Sequence, residues 1–276
     1  MNRRKVIKPI LLTIAALFGL GLGAALLLGS YLHYSISPYL PDESSLGKIS
    51  NMQASHVYSM DGQVIGRFYI QDRTPVEFDD ISEYVLMALI ATEDKRFYEH
   101  NGIDWQSLPR VLFRSVLISD DSAGGGSTIS QQLVKNLFPR QHMGSLSLLK
   151  NKIKEMITAQ RIENIYTKNE ILTLYLNTVP FGENTFGIEA ASERFFNKKC
   201  LDLEIEEAAL LVGILKATTY YNPRNHPERA VLRRNTVIGQ MAKTAYISAV
   251  EADSVSNIPL QIHRGNEIVS KDQTGY

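Results

Sequence analysis

The sequence predicts a mainly α-helical domain with one small β-hairpin, preceded by a single transmembrane helix. Three observations predict it. A long N-terminal run carries no charge, one turn signal interrupts a β-rich stretch, and apolar residues recur at helical spacing through most of the remainder.

Arg3, Arg4, Lys5 and Lys8 precede a stretch over 10–32 without a charged residue. At about 1.5 Å per residue, such a helix crosses a hydrocarbon layer about 30 Å thick. A basic flank stays in the cytoplasm, so the chain beyond Tyr34 is expected outside the membrane. A cleaved signal peptide is the alternative, but its apolar region would be shorter and a small-x-small site would follow it. The expected division is a cytoplasmic tail over 1–9, a transmembrane helix over 10–34 and a linker over 35–50 that contains Pro38 and Pro41. A globular domain over 51–246 and a polar extension over 247–276 complete it.

Within the domain, apolar and aromatic residues over 57–70 bracket Asp61-Gly62, which predicts a hairpin. Ile81, Val85, Ala88 and Leu89 then share a helix face that ends in the charged cluster Glu93-Asp94-Lys95-Arg96. A further helix is expected over 105–118. Gly124-Gly125-Gly126 breaks the chain, and Ser127 is placed to cap the next helix, whose apolar stripe is Ile129, Leu133 and Leu137. A longer helix over 146–166 is expected to turn Leu149, Ile153, Met156 and Ile157 inward. Helical spacing recurs over 168–177, 187–196, 205–216 and 228–245, and weakens beyond Tyr246.

Composition narrows the function. Lys+Arg and Asp+Glu both number 29, so no net charge attracts nucleic acid, and any electrostatic site must be local. Cys200 is the only cysteine, which excludes an intrachain disulfide and a cysteine-based metal cluster. No His-Glu-x-x-His or Gly-x-Ser-x-Gly motif is present. Two Ser-x-x-Lys tetrads, starting at Ser45 and Ser147, lack the Ser-x-Asn and Lys-Thr-Gly partners of a transpeptidase.

Four segments could carry chemistry. Glu93-Asp94-x-x-Phe97-x-x-His100-x-Gly102 sits where an apolar helix gives way to a loop, a place where a partly desolvated carboxylate can serve as a base. Taken alone, it reads rather as a solvated acidic helix end with His100 making a structural hydrogen bond. Ser127, Gln131 and Lys135 fall at i, i+4 and i+8 after a glycine-rich approach, and Thr128, Gln132 and Asn136 lie beside them. Free N–H groups at such a helix start favour an anion. Lys152 and Glu155 are i, i+3 neighbours that read alone as a surface ion pair. The segment from Lys168 to Asn177, with Phe181-Gly182 beyond, is mostly core, and Asn177 is a candidate for a cleft wall.

In this order and spacing the segments resemble the peptidoglycan glycosyltransferases, family 51 of the glycosyltransferases. The resemblance rests on the run from Ala91 to Asp104, on Gly125-Gly126-Ser127-Thr128-Ile129-Ser130-Gln131-Gln132-Leu133-Val134-Lys135-Asn136, and on Lys152-Ile153-Lys154-Glu155. It continues through Ile171-Leu172-Thr173-Leu174-Tyr175-Leu176-Asn177 and Glu207-Ala208-Ala209-Leu210-Leu211. It implies a two-lobed, lysozyme-like helical domain over 51–246, lipid II and a growing glycan strand as ligands, the membrane as a partner and cell-wall synthesis proteins as further ones. It also implies Glu93 as catalytic base and Glu155 as the second catalytic carboxylate. Asp94, Phe97, His100, Ser127, Thr128, Gln131, Gln132, Lys135, Asn136, Lys152 and Asn177 are the implied substrate-binding set. No cofactor is required, and a divalent cation (magnesium or manganese) near Glu155 is left open. Two departures bear on the expected pyrophosphate: Asn151 stands where the family commonly has arginine, and Ile214-Leu215-Lys216-Ala217-Thr218 lacks two usual prolines. A peptidoglycan-cleaving lytic transglycosylase and an inactive membrane scaffold are the competing readings.

Overall fold

The computed structural model describes residues 3–49, 55–58, 64–68, 72–107 and 126–263, with side chains over 16–49, 73–107 and 126–263. The helix expected over 105–118 lies largely outside the described residues, as do Gly124 and Gly125.

Helix α1 (Arg3–Ile36) contains the uncharged run, and the stretch Ala16–Tyr39, which takes in most of α1 and the short turn after it, is long and apolar enough to cross a membrane, with mean hydropathy 1.5. The following residues, expected as a linker, are packed rather than free. A short α2 (Glu43–Leu46) buries Leu46 completely, and Ile36 is 1% exposed. Arg161 donates to the Pro41 carbonyl (3.0 Å) and the Tyr166 hydroxyl to that of Leu46 (2.8 Å), so the helix exit is fastened to the domain.

Strands β1 (Ser55–Tyr58) and β2 (Val64–Phe68) form the expected antiparallel hairpin, pairing Ser55 with Phe68 and Val57 with Gly66. A second, three-stranded sheet was not foreseen. In it β3 (Asp72–Arg73) runs parallel to β5 (Thr185–Phe186), which pairs antiparallel with β4 (Pro180–Gly182). Glu183 and Asn184 between β4 and β5 both have positive φ (50° and 58°), the backbone of a tight hairpin turn.

Helix α3 (Glu83–Glu93) buries Val85, Ala88 and Leu89 on the expected face. Next come α4 (Ile129–Leu137), α5 (Ser147–Ile165), α6 (Lys168–Thr178) and α7 (Ile188–Phe196). The remaining helices are α8 (Ile205–Ile214), α9 (Pro227–Lys243) and α10 (Ala249–Ser256). Helix α8 is apolar nearly all round and therefore central, with α3 and α9 packed on it and on each other. Helix α4 packs against α5 and α6, forming the other face of the site. Helix α10 was missed. Its Ser248 side chain caps the Glu251 N–H, but the helix is short and buries only Ala252, too little for a periodic pattern.

Helix α5 inverts the expectation. Leu149 is 44% exposed and Ile153, Met156 and Ile157 are only half-buried, whereas Lys150, Asn151, Lys154 and Glu155 are buried. Each of those polar side chains has a partner in the packed neighbourhood, which removes the usual penalty for burying it. The Lys154 ammonium, for example, donates to the Phe138 and Pro139 carbonyls at the end of α4 (3.3 Å each).

Candidate functional site

The site is built around the first turns of α4. Thr128, not Ser127, is the N-cap: its hydroxyl accepts from the Gln131 N–H (3.2 Å) and donates to the Gly102 carbonyl (2.8 Å). The Ile129 N–H at the same helix start donates to Asp94 Oδ2 (3.0 Å), so a carboxylate from another segment faces the positive end of the α4 dipole. Asp94 also takes the His100 ring through Nε2 (3.0 and 3.1 Å). Gly102, at φ +81°, lies so close to α5 that a Cβ would meet the Ala159 carbonyl carbon at 2.8 Å. The charged cluster after α3 is thereby locked onto α4 and α5.

Several residues expected at the ligand are consequently part of this framework. Phe97 is fully buried, and the Lys168 ammonium sits 4.3 Å from its ring centre while donating to the His100 carbonyl (2.6 Å). Asn177 uses its amide on both backbone groups of Val76 (3.0 and 2.8 Å). Both side chains are thus engaged in the framework of the site. Asp94, His100 and Thr128 are likewise engaged in holding α4.

Glu93, the last residue of α3, stands beside α4. Gln132 Nε2 donates to Glu93 Oε2 (2.8 Å), and the Arg233 guanidinium reaches to 4.0 Å from Oε1. On the neighbouring face the Lys152 ammonium donates to Gln131 Oε1 (2.6 Å) and Ser127 Oγ (2.7 Å) and lies 3.6 Å from Glu155 Oε2. Glu155 is 2% exposed and accepts from Arg140 Nε at 2.8 Å. Burial pulls the Lys152 ammonium below the usual lysine range; Glu155 opposes that, while Arg140 and Lys135 add to the lowering. Arg140 and Lys135 thus both lie within electrostatic reach of Lys152 in a chain of zero formal net charge, a local concentration that favours an anion. Lys135 and Asn136 are exposed on α4, and Asn136 donates back to the Gln132 carbonyl (2.9 Å).

Two participants were missed in the sequence. Arg140, in the loop after α4, supplies a guanidinium to Glu155. Asn151, where an arginine was expected, clamps that loop: it donates to the Gln141 and Ser147 carbonyls (2.8 Å each) and accepts from the Gln141 N–H (3.1 Å). Arg233 is the second, and only the folding of α9 onto α3 brings it to Glu93. An isolated arginine in a loop or an amphipathic helix carries no local signal of such a role.

The residues do not fit a protein-built divalent-ion site. Among the described residues no group of three His, Cys, Asp or Glu side chains could hold a metal, and Glu155 is engaged with Arg140 and Lys152.

Comparison with known proteins identifies the family. The family model described as Transglycosylase matches residues 61–242. Penicillin-binding protein 1F of Bacillus subtilis (strain 168) is 36% identical over 263 residues, covering 95% of this chain and 35% of the relative. Penicillin-binding protein 1A of Aquifex aeolicus (strain VF5) is 39% identical over 236 residues, covering 84% and 31% respectively. The same-named protein of Escherichia coli (strain K12) is 39% identical over 235 residues, covering 84% and 26%. The chain therefore spans about a third or less of the length of these relatives. A crystal structure of penicillin-binding protein 1A from Haemophilus influenzae aligns over 78% of this chain and 22% of that one, with 23% identity and a TM-score of 0.45. With the family model matching most of its length, this chain belongs to the transglycosylase family.

Proposed function

We propose that the chain is a peptidoglycan glycosyltransferase that polymerises lipid II into β-1,4-linked glycan strands and releases undecaprenyl pyrophosphate. The observation that carries this reading is that one helix, α4, has the carboxylate of Glu93 and the ammonium of Lys152 bonded to its first turn, with Lys135 in its last turn and Arg140 in the loop beyond. Inverting transfer needs a base on one side of the donor sugar and a stabilised leaving group on the other. Glu93 takes the proton of the acceptor's 4-hydroxyl while that oxygen attacks the donor's anomeric carbon. The bond from that carbon to the pyrophosphate breaks, and the cations offset the charge that leaves with it. A pyrophosphate is a good leaving group, so the protonating acid of a hydrolase is not needed.

The membrane location follows from the same reading. Helix α1 anchors the chain in the bacterial cytoplasmic membrane with its N-terminus inside and the domain on the outer face. Leu146, Leu148 and Leu149, exposed by 51%, 77% and 44%, adjoin Lys150, whose ammonium donates to the Tyr31 hydroxyl of α1 (3.1 Å). In this reading the apolar group, fastened to α1 through Lys150, rests on the membrane surface, where the site meets its lipid-linked substrates. The test is incubation of the full chain with lipid II and, separately, with purified sacculi. Growing strands are expected. Cutting of sacculi would favour a lytic enzyme, and inertness toward both would favour a scaffold.

A further inference from the structure

The reading above uses Glu93 as a base but leaves open what holds it. Glu93 lies at the C-terminal end of its helix, where its own backbone offers carbonyls rather than donors. Its hydrogen bond comes instead from Gln132 Nε2 (2.8 Å), and the other end of that amide, Oε1, accepts from the Tyr175 hydroxyl (3.1 Å). Tyr175 belongs to α6, is 1% exposed and is otherwise surrounded by core.

The polarity of this relay is set at both ends. An ionised carboxylate can only accept, so the amide must turn its NH₂ toward Glu93. Burial, and secondarily the charge of Glu93, push the Tyr175 phenol well above its usual range. It keeps its proton and donates to the carbonyl end. A flipped amide would set oxygen against oxygen at Glu93. Glu93 Oε2 is thereby committed to Gln132. Oε1 has no hydrogen bond among the described residues, Arg233 standing 4.0 Å away, and is the oxygen left for a ligand.

We propose that Tyr175 is a positioning residue which acts through Gln132 to hold the Glu93 carboxylate with Oε1 presented to the acceptor hydroxyl. This rests on the assignment of Glu93 as base, and it moves Gln132 from substrate binding to the support of that base. In the step, the acceptor O–H proton passes to Glu93 Oε1, the new C–O bond forms, and the pyrophosphate leaves with the electron pair of the broken bond.

The test uses the full chain with lipid II and the variants Tyr175→Phe, Gln132→Met and their combination, with Glu93→Gln alongside. Tyr175→Phe removes one hydroxyl and keeps the ring; Gln132→Met, at a half-buried position, keeps the shape and removes the amide. Loss of positioning by a fraction of an ångström to about 1 Å lowers kcat roughly tenfold to a hundredfold. That fall is expected in both single variants, with KM within about twofold of the parent, and the double variant no slower than Gln132→Met. Unchanged kcat in Tyr175→Phe, additive losses in the double variant, or a raised KM with kcat intact would overturn the inference. Turnover by Glu93→Gln would instead overturn the base assignment, so the two failures are distinguishable.

Discussion

Replacing Asp94 with alanine separates support of the site from its chemistry. The side chain is buried (4% exposed) and accepts from the Ile129 N–H and the His100 ring, both near 3.0 Å. Both bonds go to a charged acceptor, a class worth about 1.5–3 kcal/mol each. Loss of the pair at the lower end of that range destabilises the domain by about 3–4 kcal/mol, because the N–H of α4 and the ring nitrogen stay buried without a partner. For a chain of this size that corresponds to a fall in Tm of roughly 6–15 °C. Asp94→Asn keeps one acceptor oxygen and should fall between. Thermal unfolding of the purified full chain, followed by circular dichroism at 222 nm, measures it. A Tm within 2 °C of the parent would refute the claim that Asp94 fastens α4 to the loop after α3.

The remaining predictions concern the cation group and the core. Arg140→Ala should weaken binding of a pyrophosphate-bearing donor about tenfold, and Asn151→Ala should do so to a smaller degree by loosening the loop; unchanged affinity in both would remove Arg140 from the site. Because burial holds the Lys152 ammonium below the usual lysine value, its charge disappears earlier as pH rises. Donor affinity should therefore begin to fall below the pH where a free lysine titrates, and Lys152→Arg should move that fall upward. An identical pH dependence in both proteins would contradict it. Cys200 is fully buried, and burial, with help from Glu189, pushes its thiol far up. Alkylation at pH 8 should be negligible in the folded chain and fast once it unfolds, as mass spectrometry would report; rapid labelling of the folded chain would be the contrary result.

What the sequence made legible was whatever repeats locally. The apolar face of α3 and the stripe of α4 are periodic, and Asp61-Gly62 between β-rich segments marked the hairpin. The capping box Thr167–Glu170 starts α6 where the spacing begins. The site residues came from the order of the motifs, which gives the set and not the division of labour. Asp94, His100 and Thr128 hold α4 through bonds spanning 26 to 35 residues in two of the three cases, and Phe97 and Asn177 turn inward. None of this has a local period. Helix α5 misled for a related reason. Its polar residues are buried because α4 and the Arg140 loop bring partners to them, while its leucines stay exposed beside α1. Hydropathy assigns such a helix the wrong face whenever the buried side is the functional one.

In the proposed reaction Glu93 accepts the proton while the cations around Lys152 receive the leaving pyrophosphate. Single-turnover polymerisation of lipid II by the full chain and by Glu93→Gln, with donor affinity measured in parallel, tests it most directly. Glu93→Gln is expected to bind the donor as the parent does and to form no glycan strand. Strand formation at the parental rate, or loss of donor binding together with turnover, would contradict it.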